Sequence, residues 1–413
     1  MTLMYPLQTK RGSITLGNLE LLTLASKFET PLFVYDLSTV EANYDSLIKN
    51  ITWPHLRILF AMKANWNLDI LNCLKQKGAG IDAVSLGDIL QARKAGFSSE
   101  QILFTVNNIA DQEMEAALSQ DVRFNVGSIS RLQKFAERYP GRQICVRFNP
   151  NVEAGEHEYL KTAGNLSKFG ILLEDAPQVL KIARRYKLKI IGLHEHTGSG
   201  IADTGSVLKS MKNLLSVAGD FPDLEFIDFG GGFKVPYIPD EKKIDYTSFG
   251  RKITGIFSGF CEKYGRKLDL YFEPGKFLTA NCAVFLVEVN TIRCNRGRII
   301  AGVNSGLPHL IRPSFYGAYH HIVNLSNPSG RLIAADIAGN ICESGDFFAK
   351  QREIAEIREG DILAIQNAGA YCYSMSSLYN LRPLPAEVVI EKGMARLSTR
   401  RLSYQELIKR LTP

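Results

Sequence analysis

The sequence predicts an α/β protein: a (β/α)8 barrel of the TIM type over residues 31–279, joined to a mostly-β domain of residues 280–413 that residues 1–30 supplement. Three observations predict it. From Pro31 to Glu273, short apolar runs alternate with amphipathic stretches, and repeated β–α units imply a parallel sheet with helices outside it. About eight such units fill roughly 250 residues, the size of a closed barrel. After Thr279 the texture changes, and apolar runs follow one another with little helical pattern between them. A doubly wound sheet is the alternative that periodicity alone leaves open.

The candidate barrel strands, in order, are residues 31–35, 58–62, 80–84, 102–106, 122–126, 144–148, 189–194, 225–229 and 268–272. Amphipathic stretches at 68–77, 86–95 and 176–186 are expected helices between them. In the second domain the runs 283–289, 298–303 and 361–365 are expected strands, and 403–411 a closing helix. No low-complexity linker and no solenoid-like repeat interrupts the pattern.

Composition narrows the class. The chain has 413 residues, 45% hydrophobic and 22% charged, as in an ordinary soluble globular protein. Its net charge of +7 is spread over many lysines and arginines. No basic block interleaved with aromatics marks a nucleic-acid footprint, so no nucleic-acid partner is expected. The 7 cysteines are scattered without a CxxC pair. That argues against a disulfide scaffold and against a zinc site, and fits a reducing cytoplasm. Residues 1–8 lack the apolar region of a signal peptide, and no apolar run is long enough to span a membrane.

The unusual residues fall at the ends of candidate strands. Lys63 follows the run 58–62, where a desolvated lysine of lowered pKa could form a Schiff base with an aldehyde. Asp82 and Ser85 end the next run. His194, His196 and Gly198-Ser199-Gly200 end another, Gly230-Gly231-Gly232 follows a fourth, and Glu273-Pro274-Gly275-Lys276 ends the last. Barrel enzymes carry their catalytic groups on that face. Three adjacent glycines let backbone N–H groups approach a phosphate. A carboxylate such as Glu273 can keep a pyridine nitrogen protonated. The second domain adds Arg312, suited to a carboxylate, Cys342, a possible proton donor, and Tyr371. Taken singly, each has a plain structural reading: a strand-end lysine, a tight turn, a core histidine, a surface ion pair, a packed strand edge.

Taken together and in order, the motifs resemble the fold-type III pyridoxal phosphate (PLP) dependent decarboxylases, whose barrel is alanine racemase-like. Within them the resemblance is nearest to those acting on diaminopimelate. It is carried by Phe60-Ala61-Met62-Lys63-Ala64-Asn65, His196-Thr197-Gly198-Ser199-Gly200, Gly230-Gly231-Gly232-Phe233 and Glu273-Pro274-Gly275-Lys276. Leu310-Ile311-Arg312-Pro313, Cys342-Glu343-Ser344 and Gly369-Ala370-Tyr371 complete the series.

The resemblance implies that Lys63 holds the cofactor as a Schiff base, with Asp82 beside it. His196 stacks on the ring and Glu273 pairs with its nitrogen. The phosphate is held by Ser199, the backbone of Gly230, Gly231 and Gly232, the Gly275–Lys276 segment and Tyr371. Lys276, Arg312, Tyr316 and Tyr371 contact the substrate, with the first three on its distal carboxylate, and Glu343 takes its distal ammonium. Cys342 and Glu343 come from the other subunit of a homodimer, and Cys342 reprotonates the α-carbon. The implied reaction is decarboxylation of meso-2,6-diaminopimelate to L-lysine, closing lysine biosynthesis.

Three departures touch the substrate side. Lys276 stands where arginine is frequent and loses the bidentate fork. Asp88 replaces a frequent glutamate, and the segment 304–309 is unlike the usual one. A decarboxylase of ornithine, arginine or a conjugated amino acid is the main competitor, and Arg312 discriminates against it. A racemase fits Cys342-Glu343-Ser344 poorly. An inactive regulator of the same fold would not need Lys63 and Cys342. A lid is expected over residues 157–168.

Overall fold

The computed structural model describes residues 3–10, 12–152, 163–164, 167–241 and 244–412, so most of the expected lid, residues 157–162 and 165–166, lies outside the described residues. The first long strand, β1 (Leu32–Asp36), runs directly into helix α1 (Leu37–Asn50). Asp36 makes the junction, because its Oδ1 accepts from the Ser38 N–H at 3.1 Å and so satisfies a donor the helix start leaves open.

Eight parallel strands then close a barrel. They are β2 (Leu56–Ala61), β3 (Gly80–Ala83), β4 (Ile102–Val106), β5 (Arg123–Val126), β6 (Gln143–Asn149), β7 (Lys189–His194), β8 (Phe226–Asp228) and β9 (Asp269–Phe272). Each pairs with the next, and β9 returns to β2. That closure excludes the doubly wound alternative. Helices α2 (Leu68–Gln76), α3 (Leu86–Lys94), α4 (Asp111–Leu118), α5 (Ile129–Arg138), α6 (Ala176–Tyr186), α7 (Thr204–Ala218) and α8 (Tyr246–Tyr264) lie between strands in sequence. The strands are buried on both faces, which is why they read as continuous apolar runs.

The barrel interior is layered. Leu59, Leu103, Cys145, Ile191, Phe226 and Tyr271 form one apolar cluster, with the Phe226 and Tyr271 rings stacked at 4.5 Å. Side chains two residues apart on a strand share a face. Two residues beyond Leu103, Cys145, Phe226 and Tyr271 come Thr105, Arg147, Asp228 and Glu273, all buried. A plugged apolar floor therefore lies under a polar layer at the strands' C-terminal ends.

The second sheet is built from β10 (Ala283–Asn295), β11 (Arg298–Val303), β12 (Ile322–Asn324), β13 (Leu332–Ala338), β14 (Phe347–Ala355), β15 (Ile362–Gln366), β16 (Ala386–Glu391) and β17 (Met394–Thr399). Its order is β14-β13-β11-β10-β1-β16-β17, with β15 pairing β10 and β12. The expected barrel strand at residues 31–35 is thus corrected: β1 lies in this sheet, antiparallel to β10 and parallel to β16. The reason is that a strand apolar on both faces reads alike in a barrel wall and in a covered sheet. Leu32 and Val34 face a cluster with Leu16, Leu24, Val284 and Val388. Phe33 and Tyr35 face the main core, where the Phe33 ring stacks on Phe285 at 4.2 Å.

The N-terminal strands Gln8–Lys10, Ser13–Leu16 and Leu19–Glu20, with the helix Leu21–Phe28, cover the first of those faces. The last helix, Tyr404–Leu411, starts on a reciprocal cap. Ser403 Oγ accepts from the Glu406 N–H at 3.2 Å, and Glu406 Oε2 accepts from the Ser403 N–H at 3.0 Å. Among the described residues no helix is long and apolar enough to cross a membrane.

Candidate active site

Lys63 lies in a single 3-10 turn (Met62–Ala64) that ends β2. The second sheet fixes this turn. The Tyr371 N–H donates to Ala64 O at 2.8 Å, and Asn65 Nδ2 donates to Gly369 O at 2.9 Å. The segment after β15 is thereby laid on the barrel mouth. Lys63 Nζ stands 2.6 Å from Asp82 Oδ2, and the Asp82 side chain is 1% exposed against 40% for Lys63. Burial opposes the ammonium, but Asp82, Tyr371 and Glu273 outweigh it and raise the Lys63 pKa. A lowered pKa was the expectation for this lysine; the ion pair with Asp82 reverses it.

Behind Lys63 lies a water-poor group of acids. His194 Nε2 is 3.1 Å from Glu273 Oε2. A carboxylate can only accept, so Nε2 carries the proton, and burial lowers the His194 pKa, keeping the ring neutral. His194, Asp228 and Glu273 each place a polar atom within 4.8 Å of the others. Burial opposes ionisation of Glu273, yet the His194 bond, with Lys63 nearby, holds its pKa low. Burial and the Glu273 charge push Asp228 the opposite way. The two carboxylates are thus pushed in opposite directions, Glu273 toward the ionised form and Asp228 toward the protonated one.

The turn residues fit a phosphate and a flat ring. A Cβ on Gly231 would stand 2.4 Å from Glu273 O, and one on Gly232 (φ +94°) 2.6 Å from Gly198 O. Only glycine lets these backbones approach so closely. Ser199 lies half-buried in the same turn, beside Gly198 and Gly200. The Gly231 N–H donates to His196 Nδ1 at 3.1 Å, which fixes the Nε2-protonated tautomer. Burial, then the Arg147 charge, drives the His196 pKa well down. A neutral imidazole suits stacking on a cationic ring. Gly275 packs on the Lys63 turn, where a Cβ would stand 3.0 Å from Ala64 Cβ. Among the described residues Glu273 Oε1 and Asp82 Oδ1 are buried without a hydrogen-bond partner, as expected of acceptors reserved for a bound group.

A second cluster flanks this one. Lys276 and Arg312 are both 4% exposed. Lys276 Nζ is 5.8 Å, and Arg312 Cζ 5.3 Å, from the centre of the Tyr237 ring. Arg312 also lies 5.9 Å from the Tyr316 ring. Its Nε donates to His320 Nε2 at 3.3 Å, while His320 Nδ1 donates to Gln366 O at 2.9 Å. Burial, then the Arg312 charge, takes the His320 pKa down to about 3. The lysine and arginine clusters are neighbours, because the charges on Lys63, Asp82 and Arg312 all act on Tyr371.

Cys342 and Glu343 stand apart. They are exposed on the loop between β13 and β14. Within the chain, Cys342 Sγ lies 3.5 Å from Asn380 Oδ1, and Glu343 accepts from the Tyr379 hydroxyl.

Residues 37–280 match the family model described as "Pyridoxal-dependent decarboxylase, pyridoxal binding domain". The diaminopimelate decarboxylase of Methanothermobacter thermautotrophicus is 41% identical, over 97% of this chain and 95% of its own. That of Escherichia coli K12 is 33% identical, over 94% and 95%. The chain belongs to the diaminopimelate decarboxylase family. It is a PLP-dependent decarboxylase, and its cofactor is pyridoxal phosphate. The crystal structure of the M. jannaschii diaminopimelate decarboxylase in co-complex with L-lysine superposes with a TM-score of 0.89 at 29% identity, covering 98% of each chain. The family's fold, a barrel plus a β-rich sheet, is the one described above.

Two of the family departures have local explanations. Ser85 caps α3 by accepting from the Asp88 N–H at 3.1 Å, and Asp88 Oδ2 reaches back to accept from the Val84 N–H at 2.9 Å, so Asp88 fixes the turn into α3. In the segment 304–309, Ser305 Oγ pairs with His309 Nδ1 at 2.9 Å and Asn304 Nδ2 donates to Thr30 Oγ1 at 2.8 Å. Those polar groups hold the segment itself. Sequence reasoning passed over Arg147, Asp228, Tyr237 and His320. Arg147 and Asp228 carry a signal, as charges inside apolar strand runs. Tyr237 and His320 carry none.

Proposed function

We propose that this enzyme decarboxylates meso-2,6-diaminopimelate to L-lysine, completing lysine biosynthesis. The observation that carries the reading is that Lys276 and Arg312, both buried, stand against one ring, Tyr237, with the Arg312 charge also acting on Tyr371. Two cations in a water-poor wall suit a second carboxylate, which ornithine and arginine lack at the far end. The relatives named above act on that substrate class, and one of them was crystallised with the product.

Each residue then has a task. Lys63 supplies the amine that holds the cofactor, and Asp82 keeps that amine placed. His196 would stack on the cofactor ring, while Glu273, steadied by His194, would hold a proton at its nitrogen. The glycine turn, Ser199, Gly275, the Lys276 backbone and Tyr371 bind the phosphate. Pyridoxal phosphate supplies an electron sink for the pair left when the scissile carboxylate departs as CO2. Lys276, Arg312 and Tyr316 would orient the distal carboxylate and so leave the other carboxylate as the one to be lost. The enzyme works as a homodimer. Cys342 of the partner subunit gives the α-carbon its proton, and Glu343 of the partner subunit takes the distal ammonium. Exposure of both residues on a single chain supports that assignment. All 7 cysteines are free, which supports a cytoplasmic setting.

The test is CO2 release from meso-, LL- and DD-diaminopimelate, ornithine and lysine. The meso isomer should dominate; preference for ornithine would overturn the substrate.

A further inference from the structure

The loop that follows the glycine turn is built more firmly than a connection requires. Lys234 Nζ pairs with Glu241 Oε1 at 2.5 Å. Glu241 Oε2 accepts from the Tyr237 N–H at 2.9 Å, so the carboxylate clasps both ends of the loop. From the second sheet, Asn367 Nδ2 donates to Pro236 O at 3.0 Å. These bonds hold one buried side chain in place, the Tyr237 ring, 7% exposed. Its centre is 5.3 Å from Arg312 Cζ and 5.8 Å from Lys276 Nζ. Its edge meets His320 at 5.3 Å and 90°, and His320 anchors the Arg312 Nε.

Two buried cations set against one ring repel each other, and they come from separate elements. Arg312 begins one short helix and Lys276 another. An aromatic face carries partial negative charge and attracts a cation, more so when water is excluded. It does this without occupying the N–H groups that a carboxylate needs.

From this juxtaposition we infer that Tyr237 is a specificity-determining positioning residue. Its ring holds Lys276 and Arg312 as one carboxylate receptor, and its loop ties that receptor to the phosphate turn at Gly230–Gly232. The inference deepens the proposed function and rests on Lys276 and Arg312 receiving a carboxylate. A ligand with a carboxylate beyond its amine-bearing carbon chain needs Tyr237; a plain diamine does not.

The test titrates the PLP-loaded enzyme with L-lysine and with cadaverine, which differ by that carboxylate, and follows the cofactor absorbance. Tyr237→Leu should bind L-lysine about tenfold more weakly and leave cadaverine unchanged. Tyr237→Phe, which keeps the ring, should restore wild-type affinity for both. Unchanged lysine affinity in Tyr237→Leu overturns the inference. Equal weakening of both ligands also overturns it, since the ring then only shapes the pocket. Should Tyr237→Leu not fold, Glu241→Ala decides: it frees the loop and should weaken L-lysine alone by several fold, and no change refutes the proposal. If wild-type protein favours lysine over cadaverine but releases no CO2 from diaminopimelate, the substrate reading falls and the receptor stands.

Discussion

At the scale of single residues, the site separates groups by what their surroundings do to a proton. Lys63 keeps its charge because Asp82 stands 2.6 Å away, and no other amine lies in that turn. Lys63→Ala should lose the visible cofactor band and all turnover while its circular dichroism stays that of the wild type; near-normal turnover would dismiss Lys63. Burial opposes ionisation of Glu273, but His194 and the Lys63 charge outweigh it and lower its pKa, and an uncharged isostere cannot keep a proton on a ring nitrogen as a carboxylate does. Glu273→Gln should retain PLP, measured by absorbance, and lose several orders of magnitude in kcat. An unchanged kcat in loaded protein counts against the assignment. Lys63, His196 and Glu273 are legible in the sequence because each sits at a strand end, the last two beside a glycine or proline motif. His194 has the same position but no motif of its own, and its role appears only when β9 brings Glu273 to it.

At the scale of elements, the period of two along a strand converts an apolar floor into a polar layer. This was readable in part. The interior charge of Arg147 in Ile144-Cys145-Val146-Arg147-Phe148 is unusual for a covered strand. The placement of β1 was not readable, because Leu-Phe-Val-Tyr fits any doubly covered strand. The end of β7 offers a pH test. Glu195 is fully buried, and burial raises its pKa from 4.5 to about 8, although Ser210 and Thr197 bond to it. Between those values the unfolded chain has released a proton that the folded protein keeps, so stability falls as pH rises. Below 4.5 both states are protonated, and above about 8 both are ionised. Glu195→Gln should therefore flatten the profile of chemical denaturation across that window by the slope of one proton. An unaltered slope places the titration elsewhere.

At the scale of the whole molecule, the site needs both sheets and, in the proposed assembly, two chains. The Tyr371 segment reaches the Lys63 turn from the second sheet, while Cys342 is exposed on its own loop beside Asn380. In a two-fold dimer each site would draw Lys63 from one chain and Cys342 from the other. Mixing Lys63→Ala with Cys342→Ala should then restore activity. About half of the dimers would be mixed, each with one intact site, giving about a quarter of wild-type activity. Verified exchange of subunits without any recovery would place Cys342 in its own chain's site.

The order in which the chain is made gives one strand a separate significance. β1 sits in the middle of the second sheet, flanked by β10 and β16. During synthesis β1 leaves the ribosome before the barrel, yet both of its neighbours are encoded beyond the entire barrel. Until they arrive, an apolar segment with open edges waits beside a barrel that can already close, a situation that invites mispairing in a crowded cell. The molecule is thus two sheets in space but one indivisible unit in time, and separately expressed halves should each be found aggregated.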